Sequence, residues 1–196
     1  MKEKTNRILI FLFLAALIFI LGFILASLQQ KQQWDYPPAI VQTDSIKTST
    51  LLDRGYFNLT LETINSAQKS IDIAMFEFRF YESNNSHVRQ LLEALIDAHN
   101  RGVEVRALLD ASDWSYSHTI ENKKTVDYLI EKGVNAKLDT PFTTMHSKIW
   151  IIDDSLIIGS TNLGYSAVDD NNEASILIEN KEIADEYRDY FEYLWS

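Results

Sequence analysis

The sequence predicts an α/β protein: a sandwich in which a mixed sheet is flanked by helices, preceded by an N-terminal transmembrane helix. Two observations set that class. From residue 46 onward, short β-branched runs alternate with amphipathic stretches, the pattern of strands and helices packed in layers. Ahead of them, Ile8 to Leu28 is an apolar run without a single charge, broken only by Gly22 and Ser27.

Residues 1–7 are a short basic segment with Lys2, Lys4 and Arg7. The uncharged run at 8–28 would span about 31 Å as a helix, the thickness of a bilayer's hydrocarbon core. Ala26, Ser27 and Leu28 give no small-x-small cleavage pattern, so an uncleaved anchor is preferred over a cleaved signal. The cations precede the run and only Lys31 follows closely, which orients the N-terminus to the cytoplasm and the following domain outside. Residues 29–45 are a polar linker stiffened by Pro37 and Pro38. The remaining segment, 46–196, is one domain of ordinary size.

Within that domain the apolar spacing predicts a helix over 57–67, a buried strand over 71–80, and a helix over 86–100 ended by Gly102. A strand over 103–110, a helix over 125–132 closed by Gly133, and a strand over 134–138 follow. Residues 148–153 and 156–159 read as a tight β-hairpin with Asp154 and Ser155 at its turn. A strand over 174–178 precedes a last helix with Asn180 as its N-cap. Ile183, Tyr187, Tyr190, Phe191 and Leu194 on that helix fall at core spacing, and their aromatics read as packing rather than a base-stacking platform.

Composition narrows the function. The chain has no cysteine, which excludes thiolate metal sites and disulfides. Its net charge is −10, and without Lys2, Glu3, Lys4 and Arg7 the remainder holds 15 basic against 27 acidic residues. Such a surface binds polyanions weakly and adheres poorly to anionic lipid. Arg79, Arg101, Arg106, Lys123 and Lys124 are the cations available for a local groove, with a solvated surface as their default.

The chemistry concentrates in one stretch: His146, Lys148, Asp153, Gly159, Ser160, Asn162 and, eleven residues on, Glu173. Alternation along a strand puts His146 and Lys148 on one face, and Ser160 with Asn162 on one face beyond the next strand. An imidazole attacks phosphorus to form a phosphohistidine, dividing one difficult displacement into two. Lys148, Asn162 and Ser160 are donors suited to the non-bridging oxygens, and Glu173 is placed to accept the other ring N–H of His146. Glu77 and Asp110 are strand-end pocket candidates, whereas His87, His99 and His118 carry no motif and read as ordinary histidines.

At these residues the chain resembles the phospholipase D superfamily, whose signature runs H-x-K, four residues, D, then G-S-x-N. The likeness extends to Ser166, to Asn172 and Glu173, and upstream to 70–76 and 101–110, covering roughly 45–196. It implies a phospholipase D-like α/β sandwich with catalytic His146, Lys148 and Asp153, phosphate-binding Lys148, Ser160 and Asn162, and Glu173 behind them. One departure is visible: five residues, Asp154 to Ile158, separate the motif Asp from Gly159 where the family has six. By parity Asp153 points away from His146, so capping the turn is its expected role despite its place in the motif.

One motif supplies one imidazole, whereas the two-step mechanism uses two. Single-motif members of the superfamily resemble half of a two-motif enzyme, which implies a homodimer with a composite site. The expected function is a membrane-anchored nuclease, independent of metal and cofactor, acting on DNA or RNA. A phospholipase acting on phosphatidyl lipids and a non-catalytic dimeric binding module are the alternatives.

Overall fold

The computed structural model describes residues 17–21 and 46–196. The chain divides into two units, Met1–Ala39 and Ile40–Ser196. In the first, residues 17–21 are helical, and the expected anchor at 8–28 otherwise lies outside the described residues, as do the basic segment 1–7 and the linker 29–45. Among the described residues no helix is long and apolar enough to cross a membrane.

The second unit is built on seven strands: β1 (Lys47–Leu52), β2 (Ser70–Met75), β3 (Glu104–Leu109), β4 (Asn135–Leu138), β5 (Lys148–Ile152), β6 (Ser155–Gly159) and β7 (Ala174–Glu179). Their order in the sheet is β1-β7-β6-β5-β2-β3-β4. β2, β3 and β4 run parallel, joined by crossover helices α2 (His87–Asn100) and α3 (Tyr116–Glu131), while the pairs from β2 to β5 and onward to β1 are antiparallel. The sheet is therefore mixed, as the alternation of hairpin and βαβ signals predicts.

Each face of the sheet has its own core. Ile71, Ile73, Met75, Trp150, Ile152 and Ile157 point to the side covered by α2, α3 and α1 (Gly55–Ser66). Ala74, Leu108, Ile149, Ile151 and Leu156 point to the side covered by α4 (Lys181–Trp195), where Phe191 and Leu194 are buried. The apolar stripe of α4 is packing, and Asn180 caps it by accepting the Ile183 N–H at 3.0 Å. A buried ion pair clamps this layer: Arg106 on β3 donates to Asp72 on β2 at 2.7 Å and to Glu192 on α4 at 2.6 Å.

Three elements differ from expectation. The strand expected over 71–80 ends at Met75 because Asn122 of α3 takes over the backbone groups beyond it, accepting the Phe78 N–H and donating to the Phe76 carbonyl. α3 itself starts nine residues before the expected 125. Its buried face is Asn122, Thr125, Val126 and Leu129, correctly spaced but half polar, so hydrophobic periodicity shows only its second half. β1 is an additional edge strand with one buried side chain, Leu51, so it carries no apolar alternation.

Candidate active site

Topology gathers the motif at one end of the sheet. Met75, the last residue of β2, pairs with Lys148, the first of β5. Ile149 pairs with Ile158 near the end of β6, and Gly159 pairs with Ser175 at the start of β7. The ends of β2, β3 and β6 and the beginnings of β5 and β7 thus meet at one edge, where His146, Lys148, Ser160, Asn162 and Glu173 follow or precede them. Gly159 is required there: a Cβ would fall inside contact distance of the Ser175 side chain and the Ala174 carbonyl.

His146 is exposed, and its ring lies 4.5 Å from that of Phe76. Lys148 is half-buried, donates to the His146 carbonyl at 2.9 Å, and holds its ammonium 4.9 Å over the same Phe76 ring. Partial desolvation of the ring, then repulsion from Lys148, lowers the pKa of His146, with Asp110 opposing. Burial likewise lowers that of Lys148, against the attraction of Glu173, Glu77 and Asp110. The His146 shift suits a neutral nucleophile, while at Lys148 the nearby carboxylates partly offset a burial that disfavours its charge.

Ser160 and Glu173 are placed differently from the reading of the sequence. Ser160 donates its hydroxyl proton to the Glu173 carboxylate and accepts the Ala174 N–H at 3.1 Å. Glu173 also accepts from Asn171 at 3.1 Å, and no hydrogen bond joins it to His146 among the described residues. The expected orienting contact on the imidazole is thereby replaced by a contact that anchors Ser160. Asn162 is the opposite case, because its amide oxygen is buried without a hydrogen-bond partner.

Asp153 stands outside the cluster. Its carboxylate accepts backbone N–H groups of Gln68 and Lys69 at 2.8 Å and of Ser70 at 2.9 Å, and its φ of 49° forms the turn between β5 and β6. Those bonds lower its pKa despite its burial. These bonds are those of the turn-capping role expected from strand parity: Asp153 ties the hairpin to the entrance of β2. The short connection uses Asp153 and Asp154 as turn residues, one position earlier than the sequence suggests.

Each cation considered for a groove has a partner among the described residues. Arg79 pairs with Glu77, Arg106 with Asp72, Lys123 with Asp127 and Lys124 with Glu121, while Arg101 donates to the Ile64 carbonyl. Two further groups reach the site, one a strand-end candidate in the sequence and one read there as an ordinary histidine. Asp110, fully buried at the end of β3, accepts the Met145 N–H at 2.7 Å, holding the backbone next to His146. His118 stacks on Phe76 with ring centroids 4.3 Å apart and lies 3.3 Å from Asp110. Its one signal is weak: it precedes Asn122 by one helical turn on α3.

An exposed imidazole beside a half-buried ammonium, set at the end of a mixed α/β sheet, is an arrangement suited to a phosphate group. The chain belongs to the phospholipase D superfamily: residues 60–195 match the family described as cardiolipin synthase, PLD-like domain. It is similar to phospholipase D of Rickettsia prowazekii (strain Madrid E), 28% identical over 208 residues that cover 95% of this chain and 92% of that protein. It is 26% identical over 137 residues to mitochondrial cardiolipin hydrolase of Canis lupus familiaris, covering 69% of this chain and 49% of that one, so it spans about half the length of that relative. In fold it resembles the crystal structure of Nuc, a phospholipase D family member from Salmonella typhimurium, with a TM-score of 0.63 and 24% identity over 77% of this chain and 93% of that one.

Proposed function

We propose that the protein is a membrane-tethered, metal-independent nuclease that works as a homodimer through a phosphohistidine on His146. The observation that carries this reading is the exposed His146 ring beside Lys148 at the end of the sheet, which supports a histidine nucleophile next to a cation. A ring nitrogen of His146 attacks phosphorus, the bond to the leaving oxygen breaks, and the partner subunit's His146 gives that oxygen a proton. The same partner imidazole then takes a proton from water, whose oxygen displaces His146 from phosphorus. Lys148 and Asn162 hold the non-bridging oxygens, the charge stabilisation that a divalent ion would otherwise supply. The apolar run at 8–28 tethers the domain on the extracytoplasmic side.

A second reading has its own support. Similarity over nearly the full length of a protein named phospholipase D favours a phosphatidyl lipid as substrate. Incubating the full-length chain with labelled DNA, labelled RNA, and phosphatidylcholine or cardiolipin vesicles in EDTA separates the two. The nuclease reading predicts nucleic-acid cleavage at a rate unchanged by EDTA, falling about 10³-fold or more in His146→Ala. Headgroup release alone moves the assignment to lipid, and inactivity on every substrate moves it to a binding module.

A further inference from the structure

The His118 imidazole, which belongs to no motif, has two separate routes to the catalytic histidine. Along one, it stacks on Phe76, whose ring lies 4.5 Å from that of His146 and under the Lys148 ammonium. Along the other, His118 Nε2 lies 3.3 Å from Asp110 Oδ2, while Asp110 Oδ1 accepts the Met145 N–H. The tautomer follows from the neighbours. Asn122 spends both amide hydrogens on the Phe76 and Asp110 carbonyls, at 2.8 and 2.9 Å, so its nitrogen 3.3 Å from Nε2 neither donates to nor accepts from that atom. Nε2 is therefore assigned the hydrogen, and it lies in ion-pair contact with the Asp110 carboxylate, 3.3 Å away.

That carboxylate is a charge in a dry place. Asp110 is fully buried, and its hydrogen-bond donors are Ser112 and the Met145 backbone. His118 has only 9% of its side chain exposed, with Trp114 lying nearly parallel to it at 6.3 Å. On its far side Nδ1 faces Glu77 Oε2 at 4.0 Å, and Glu77 is itself paired with Arg79. The charged and titratable groups around His118 are thus Glu77 after β2, Asp110 after β3, and His146 with Lys148 beyond Phe76.

We propose that His118, with Asp110, is a positioning residue for His146: its imidazole, in ion-pair contact with the Asp110 carboxylate, keeps that carboxylate on the Met145 backbone while its ring braces Phe76 against the His146 and Lys148 side chains. This inference rests on the hydrolytic reading of the site but not on whether the substrate is nucleic acid or lipid. It assigns His118 no contact with substrate. Removing the imidazole uncovers the Asp110 charge toward His146 and loosens both supports at once.

The test uses the full-length protein with bis(p-nitrophenyl) phosphate as a generic phosphodiester, in His118→Ala and in His118→Gln, whose amide N–H replaces the Nε2 donor. His118→Ala is expected to lower kcat by about 10- to 100-fold with KM changed less than about twofold. His118→Gln is expected to recover most of that loss. The titration of the His146 ring, followed by NMR without substrate, moves to higher pH in His118→Ala and stays near its original midpoint in His118→Gln. If the probe is not hydrolysed by the unaltered protein, the hydrolytic reading fails, and the NMR titration still decides whether His118 acts on His146. An unmoved His146 titration in His118→Ala would overturn the inference, as would a loss of kcat that His118→Gln does not recover.

Discussion

Two residues of one motif, His146 and Asp153, behave as opposites. At His146, ring desolvation and the Lys148 ammonium favour the neutral imidazole, so its pKa lies below the ordinary value of about 6.5. The nucleophilic form therefore persists to lower pH than in a free histidine, and Lys148→Met should raise the midpoint of its NMR titration by removing the repulsive charge. Asp153 is a carboxylate with a lowered folded pKa. It contributes stability that is complete above the ordinary aspartate pKa of about 3.9 and is lost as pH falls through the lower folded value. Asp153→Asn should cost about 1–3 kcal/mol at neutral pH and remove that acid dependence, measured by urea unfolding across pH. The variant should keep its catalytic rate per folded molecule. The motif spelled out His146, Lys148 and Asn162 because their spacing is local. It was silent on Asp110 and His118, which reach the site through tertiary folding from separate elements, and it misplaced Glu173, whose partner is decided by the close approach of β6 and β7.

At the scale of elements, the site depends on how tightly β6 lies on β7. Gly159 has no room for a side chain, and the same contact brings Ser160 to Glu173. Gly159→Ala should push the two strands apart, cost about 1–3 kcal/mol in thermal or denaturant unfolding, and lower activity through displaced Ser160 and Asn162. An alanine variant with unchanged stability would show that the strands yield freely. Strong apolar periods made β2, β3, β5, β6, α2 and α4 legible. α3 was half legible because Asn122 and Thr125 bury polar groups satisfied by the backbone of residues 76–78, a use of helical spacing that no hydrophobic pattern reveals.

For the whole molecule, one chain offers one motif histidine, and His118 is too enclosed to deliver a proton to a substrate. The homodimer proposed above would supply the second exposed imidazole, so sedimentation equilibrium should find dimers at concentrations that sustain activity, and a fully active monomer would refute the composite site. The mixed sheet was readable because hairpin and βαβ signals coexist in the sequence, whereas the substrate was not, because an open sheet end accommodates any phosphodiester. The most direct measurement is acid-free rapid quenching during turnover of a labelled substrate, followed by peptide mass spectrometry. The account predicts one phosphorylated fragment of the substrate attached to His146 and none in His146→Ala. Full turnover with no adduct on His146, together with undiminished cleavage by His146→Ala, would contradict it.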